Sequence, residues 1–205
     1  MKAEDTRDAL KLAARRLFAA RGIDGVSVRE IVAAAGQRNS GSLHYYFGSK
    51  EGLIRELVVD GAKLIDERRN AWLDAREANG LSLRDTVEAL VWPSTRLGGT
   101  AEEDTYIRFI MMLQMHHRDQ FLDALENKWN SGYLRCLALI RHLLPEVPAA
   151  IMTRRLLFMG LLLSSALSSR EAAFDDQPWA RPFWAQKGTM EALIVSIENL
   201  LGGPV

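Results

Sequence analysis

The densest run of groups able to contact a ligand lies between Gly36 and Gly48. Arg38, Asn39, Ser40, Ser42, His44 and Tyr45 place guanidinium, amide, hydroxyl, imidazole and phenol groups side by side. Such side chains hydrogen-bond base edges and hold phosphates, whereas a bland solvated helix more often carries Glu, Lys and Ala. Elsewhere the chemistry is sparse. His116 and His117 are adjacent, so on a helix they point in different directions, and His142 has no Cys close by; no metal site is expected. No Gly-rich phosphate loop, nucleophile elbow or triad stands out, so neither an enzyme nor a cofactor is expected.

Positioning these groups requires short helices meeting at a steep angle. Apolar residues recur at helical spacing throughout the chain, and no stretch alternates long enough to read as a half-buried strand. The first helix is predicted from about Asp5 to Arg21, with Leu10, Ala13, Ala14, Leu17 and Phe18 on one stripe and Gly22 ending it. Ser27-Val28-Arg29-Glu30 is a capping box for a second helix, with Val28, Ile31 and Val32 inward and Ala35-Gly36 as its end. A third helix follows near Ser40 to Phe47, anchored by Leu43 and Phe47. Helix, glycine turn and helix in about twenty residues is the spacing that lets a second helix project into a major groove.

Downstream, Ser49 caps a long helix from Lys50 to about Glu77, and Ser82 caps another interrupted at Pro93. Thr100 to Glu103 reads as a further capping box, opening a helix that carries Met111, Met112 and Met115. One helix is predicted from about Asp119 to Leu144 and the next from Pro148 to about Phe174. The stretch 175–187, with two prolines, is a connector before a last helix bearing Met190, Leu193, Ile194, Ile197, Leu200 and Leu201. Long helices joined by short loops make a bundle.

Composition adds bounds. The 205 residues suffice for a core without staples, and the single Cys136 can form no internal disulfide, which suits a reducing cytoplasm. Met1 to Asp8 is charged with no apolar core behind it, so no secretory signal is expected. The apolar run Leu156 to Leu167 is too short to span a bilayer and reads as a buried helix. The net charge of zero conceals an asymmetry: residues 1–55 hold ten Lys/Arg against six Asp/Glu, and the remainder sixteen against twenty. A basic segment on an acidic body fits one polyanion-binding end.

The run TRDALKLAARRLFAARGIDGVSVREIVAAAGQRNSGSLHYYFGSKEGLIRELV resembles the N-terminal domain of TetR-family regulators. The matching features are Phe18, Gly22, Ser27-Val28, Ala35-Gly36, Ser42-Leu43, Tyr45 to Phe47, and Lys50. Two departures stand out. Four residues, Gln37 to Ser40, follow the turn glycine where most members have three, as in a subgroup with Gly-Gln-Arg-Asn. His44 and Tyr46 also replace the usual aromatic-then-His order, and either can donate to phosphate.

The resemblance implies an all-α protein: a three-helix helix-turn-helix DNA-binding domain at 1–48 and a helical ligand-binding and dimerisation domain at 49–205. It implies a homodimer on a palindromic double-stranded DNA operator, with a small apolar or amphipathic effector releasing it and no membrane involved. Lys50 takes the family's phosphate-binding position, and Ser27 either contacts phosphate or only caps its helix. The last two helices would pair with their symmetry mates, and Trp92, Tyr106, Phe109, Met112, Met115, Trp129 and Phe158 come from helices that enclose ligand in the family. Each of these seven also suits ordinary core. The alternative reading is an all-helical interaction or scaffold protein without DNA binding.

Overall fold

The computed structural model describes residues 3–39, 41–100, 104–126 and 128–204. Helices account for the regular structure, and no strand occurs among the described residues. In order they are α1 (Ala3–Arg21), α2 (Val28–Ala34), α3 (Gly41–Phe47), α4 (Lys50–Glu77), α5 (Leu83–Val91), α6 (Tyr106–His116), α7 (Arg118–Leu125), α8 (Ser131–Leu143), α9 (Ala149–Asp175), α10 (Arg181–Trp184) and α11 (Thr189–Gly202). Pro93 does end α5, in a short 3-10 turn at Trp92–Ser94.

The chain forms two compact units, Met1–Ala62 with Thr105–Asn127, and Lys63–Asp104 with Lys128–Val205. The first holds α1 to α3, the start of α4, and also α6 and α7. Its core gathers Leu10, Phe18, Ile31, Leu43, Leu53 and Phe109. The Phe18 and Phe109 rings stack with centroids 5.9 Å apart, so α6 closes the core that the stripe of α1 begins. Gly61 is required by close approach: a Cβ there would fall 2.1 Å from the Tyr106 ring. Tyr106 keeps its place by donating its hydroxyl to the Val58 carbonyl at 2.8 Å.

The second unit packs α9 against α11, α5 against α8 and α11, and α10 against both α9 and α11. Side chains of α4 secure the ends of its neighbours. The buried Arg69 guanidinium donates to the carbonyls of Ala89 and Leu90 at the end of α5 and to the Ser94 hydroxyl. Asp66 accepts from the Ser131 hydroxyl and from Gly132 N at 2.7 Å, an anion set at the N-terminus of α8. Arg155 on α9 caps α11 from outside, donating to the carbonyls of Leu201 and Gly203.

Four expectations change. The Met-bearing helix begins at Tyr106 rather than near Thr100, and Glu103 of the expected capping box lies outside the described residues. The helix expected over 119–144 is two helices, parted by left-handed backbone at Glu126 and Trp129; Asn130 and Ser131 favour such a break over helix interior. Val28 is only half-buried, and the preceding turn supplies Ile23 and Val26 to the core instead. Finally, α9 is not a buried helix. It is long and apolar enough to cross a membrane by length and composition, yet it is mostly unburied and turns Leu157, Phe158, Leu161 and Leu162 outward.

Candidate nucleic-acid interface

The helix-turn-helix is built by local hydrogen bonds. Ser27 opens α2: its hydroxyl accepts from Glu30 N at 3.3 Å and donates to the Glu30 carboxylate at 2.7 Å. That carboxylate also accepts from Ser27 N and pairs with Arg21. Hydrogen bonds from the Ser27 backbone and hydroxyl, then the Arg21 guanidinium, hold the Glu30 carboxyl down at about 2. Gly36, at φ 69, provides the left-handed residue that ends α2, and Gln37 N then reaches back to the Val32 carbonyl at 2.9 Å.

The turn that follows contains the candidate readers. Asn39 Oδ1 accepts from Gly41 N at 2.8 Å, and the Asn39 carbonyl accepts from Ser42 N and the Ser42 hydroxyl. Asn39 therefore ties down the start of α3 through its side-chain oxygen and its carbonyl. The fourth turn residue sits outside the described set, since Ser40 is not among them. Leu43 is buried and aims α3, while Phe47 is half-buried under the Arg7 guanidinium, 5.5 Å from its ring. His44 and Arg38 are exposed, and Tyr45 is 81% exposed. Tyr46 is half-buried and meets Tyr45 edge to face at 4.9 Å. The outward face of α3 thus presents His44 and Tyr45, with Arg38 and Asn39 at its entrance.

Lys50 begins α4 beside this face. Its ammonium donates to the Ile23 carbonyl at 2.5 Å and lies 5.7 Å from the Phe18 ring centroid. It also lines a cleft of about 610 Å³ with Asp24, Arg55 and His117. Two of its side chains are already partnered: His117 Nε2 meets Asp24 at 2.8 Å, and Arg55 pairs with Glu126. Arg29, exposed in the first turn of α2, is a further cation on the head that the capping-box pattern hid in plain sight.

The seven residues expected near a ligand fall into both units. Tyr106 and Phe109 are buried in the first unit, where Met112 is half-buried and Met115 is 68% exposed. Trp92, Trp129 and Phe158 belong to the second. Trp92 is half-buried in the 3-10 turn, Trp129 takes a left-handed φ of 60 under the Lys63 ammonium, and Phe158 is 54% exposed. Cys136 is buried, and burial pushes its thiol up to about 11, which makes it an inert core residue. Among the described residues no group of three His, Cys, Asp or Glu is placed to hold a metal ion.

Comparisons with known proteins agree with this geometry. Residues 12–57 match the family model of bacterial regulatory proteins of the tetR family. The HTH-type transcriptional repressor KstR2 of Rhodococcus jostii (strain RHA1) is 40% identical over 81 residues, which span 40% of this chain and 37% of that repressor. The crystal structure of a protein from Shewanella sp. PV-4 assigned to the tetR family of transcription regulators superposes over 95% of this chain and 96% of its own, with TM-score 0.60 and 20% identity. That of the TetR-family regulator PfmR from Thermus thermophilus covers 96% and 98%, with TM-score 0.59 and 18% identity. At those identities the structures speak for the fold, and the family-model match speaks for residues 12–57. Together they show a tetR-family match over residues 12–57 and, along the whole chain, a fold similar to that of those two proteins.

Proposed function

We propose that the protein is a ligand-responsive repressor that binds a palindromic DNA operator as a homodimer. The observation that carries this reading is the α3 face: Leu43 is buried beneath it, while His44 and Tyr45 stand outward beside Arg38, Asn39 and Lys50. In the family's arrangement two such helices enter successive major grooves about 34 Å apart. Arg38, Asn39, Ser40, Ser42, His44, Tyr45 and Tyr46 form the reading surface, with Ser27, Arg29 and Lys50 toward phosphate. Repression itself follows the KstR2 relative. The outward apolar residues of α9, with Val195 of α11, support pairing of these two helices with those of a second copy.

A small apolar effector in the helical body would favour a conformer with the wrong head spacing. DNA and effector would then weaken each other's binding, typically by about 1–3 kcal/mol. Trp92, Trp129, Phe158 and the α6 residues Tyr106, Phe109, Met112 and Met115 remain the positions to probe for it.

Fluorescence anisotropy on an operator selected from random duplexes tests the reading. Lys50→Ala should weaken binding to every sequence and lower the salt slope by about one unit. Arg38→Ala should relax preference at one base position by about 1–3 kcal/mol. No selectable duplex, or unchanged binding by both variants, would remove this surface as the operator contact.

A further inference from the structure

The connector between α9 and α11 carries two aromatic rings that the protomer core does not use. Trp179 is 80% exposed and Phe183 56% exposed. Leaving that much apolar surface in water is unfavourable, and exposed clusters of this kind mark interaction sites. The connector is nevertheless well braced. Ala180 is buried, Thr189 Oγ1 donates to the Phe183 carbonyl at 2.7 Å, and the Arg181 guanidinium lies 5.3 Å from the Phe174 ring centroid. Ala180 N bonds to the Gln177 carbonyl and Phe183 N to the Ala180 carbonyl, so successive turns tie the segment down. The two rings are therefore held outward on a fixed platform, as preorganised interface anchors are.

We infer that Trp179 and Phe183 clamp a second copy of this chain, extending the dimer beyond α9 and α11. The inference rests on the reading that those two helices form the dimer face. The connector helix α10, which carries Phe183 and directly follows the turn that carries Trp179, packs on both of them, so the connector adjoins that helix pair. Area points the same way. The outward Leu157, Phe158, Leu161, Leu162 and Val195 expose on the order of 400 Å² of apolar surface, about half of the ~800 Å² each partner gives to a standard interface. The two connector rings add on the order of 300 Å². Twofold symmetry doubles any such contact, because each copy offers its own connector to the other.

Sedimentation equilibrium on the full chain tests the clamp. The double variant Trp179→Ala/Phe183→Ala should raise the dimer dissociation constant at least tenfold while the helical circular dichroism stays unchanged; an unchanged constant overturns the inference. Leu161→Glu, on the α9 face alone, should give monomers. In 5-fluorotryptophan-labelled protein, the Trp179 resonance, assigned through Trp179→Phe, should resist broadening by a soluble paramagnetic agent in the wild-type dimer and lose that protection in Leu161→Glu. Equal broadening in both also overturns it. If Leu161→Glu is monomeric and the double variant dimerises normally, the face stands and the clamp falls. If Leu161→Glu stays dimeric, the face falls and the clamp that extends it falls with it. A wild type monomeric at every concentration removes both.

Discussion

The helix-turn-helix and the second unit are held by polar contacts of very different reach. In the first, Ser27 with Glu30, and Asn39 with Gly41 and Ser42, close loops of two or three residues. In the second, Arg84 on α5 pairs with Glu198 and Glu191 on α11, and Arg155 reaches the end of its own partner helix. Asp66 and Arg69 likewise leave α4 to secure α8 and α5. Short closures cost little chain entropy and form with their helices, whereas the long ones exist only once the bundle has assembled. Local closures set the side chains of a short helix by themselves, whereas contacts that join helix to helix set how the bundle packs.

The first unit also has contacts of long reach, and one of them sets the largest predicted effect. Phe109 is fully buried against Phe18, so Phe109→Ala should cost about 3–5 kcal/mol in urea denaturation followed by circular dichroism. A loss below about 1 kcal/mol would mean that α6 is not part of the head's core. Next comes Arg69→Met. Removing the guanidinium leaves the Ala89 carbonyl and the Ser94 hydroxyl short of a donor, while the Leu90 carbonyl keeps only the Ser94 hydroxyl, for about 2–3 kcal/mol in the same assay. A neutral result would show that the long-range bonds of Arg69 contribute nothing and would weaken the difference between the two units.

Ser27→Ala should cost only about 1 kcal/mol, the usual worth of an N-cap, and amide exchange should quicken in α2 before α9. The smallest effect is one of pH. Glu30 is held at about 2 when folded, against an ordinary value of 4.5, so the unfolded chain takes up its proton first as pH falls. Its contribution is therefore complete above about 4.5 and is lost on the way down to about 2. Glu30→Gln should flatten the stability profile in that window, and a slope equal to wild type would assign the acid sensitivity to other carboxylates.

Much of the head was legible because its signals are local. The capping box, the glycine after α2, the buried Leu43 and the stripe of α1 each depend on residues a few positions apart. What escaped reading there had a distant cause. Nothing within α6 tells that Phe109 stacks on Phe18 of α1. Arg7 over Phe47 likewise joins the two ends of the head.

By itself the sequence determined that the chain is helical, where most helices stop, and that a helix-turn-helix opens it, because periodicity, caps and glycines act over one or two turns. Tertiary structure alone decided that residues 105–127 belong with the head, that the helix expected over 119–144 breaks at Glu126 and Trp129, and that α9 shows half its leucines to the outside. Those outcomes turn on which apolar face finds a partner and which does not, and a face's partner lies far along the chain or in another molecule.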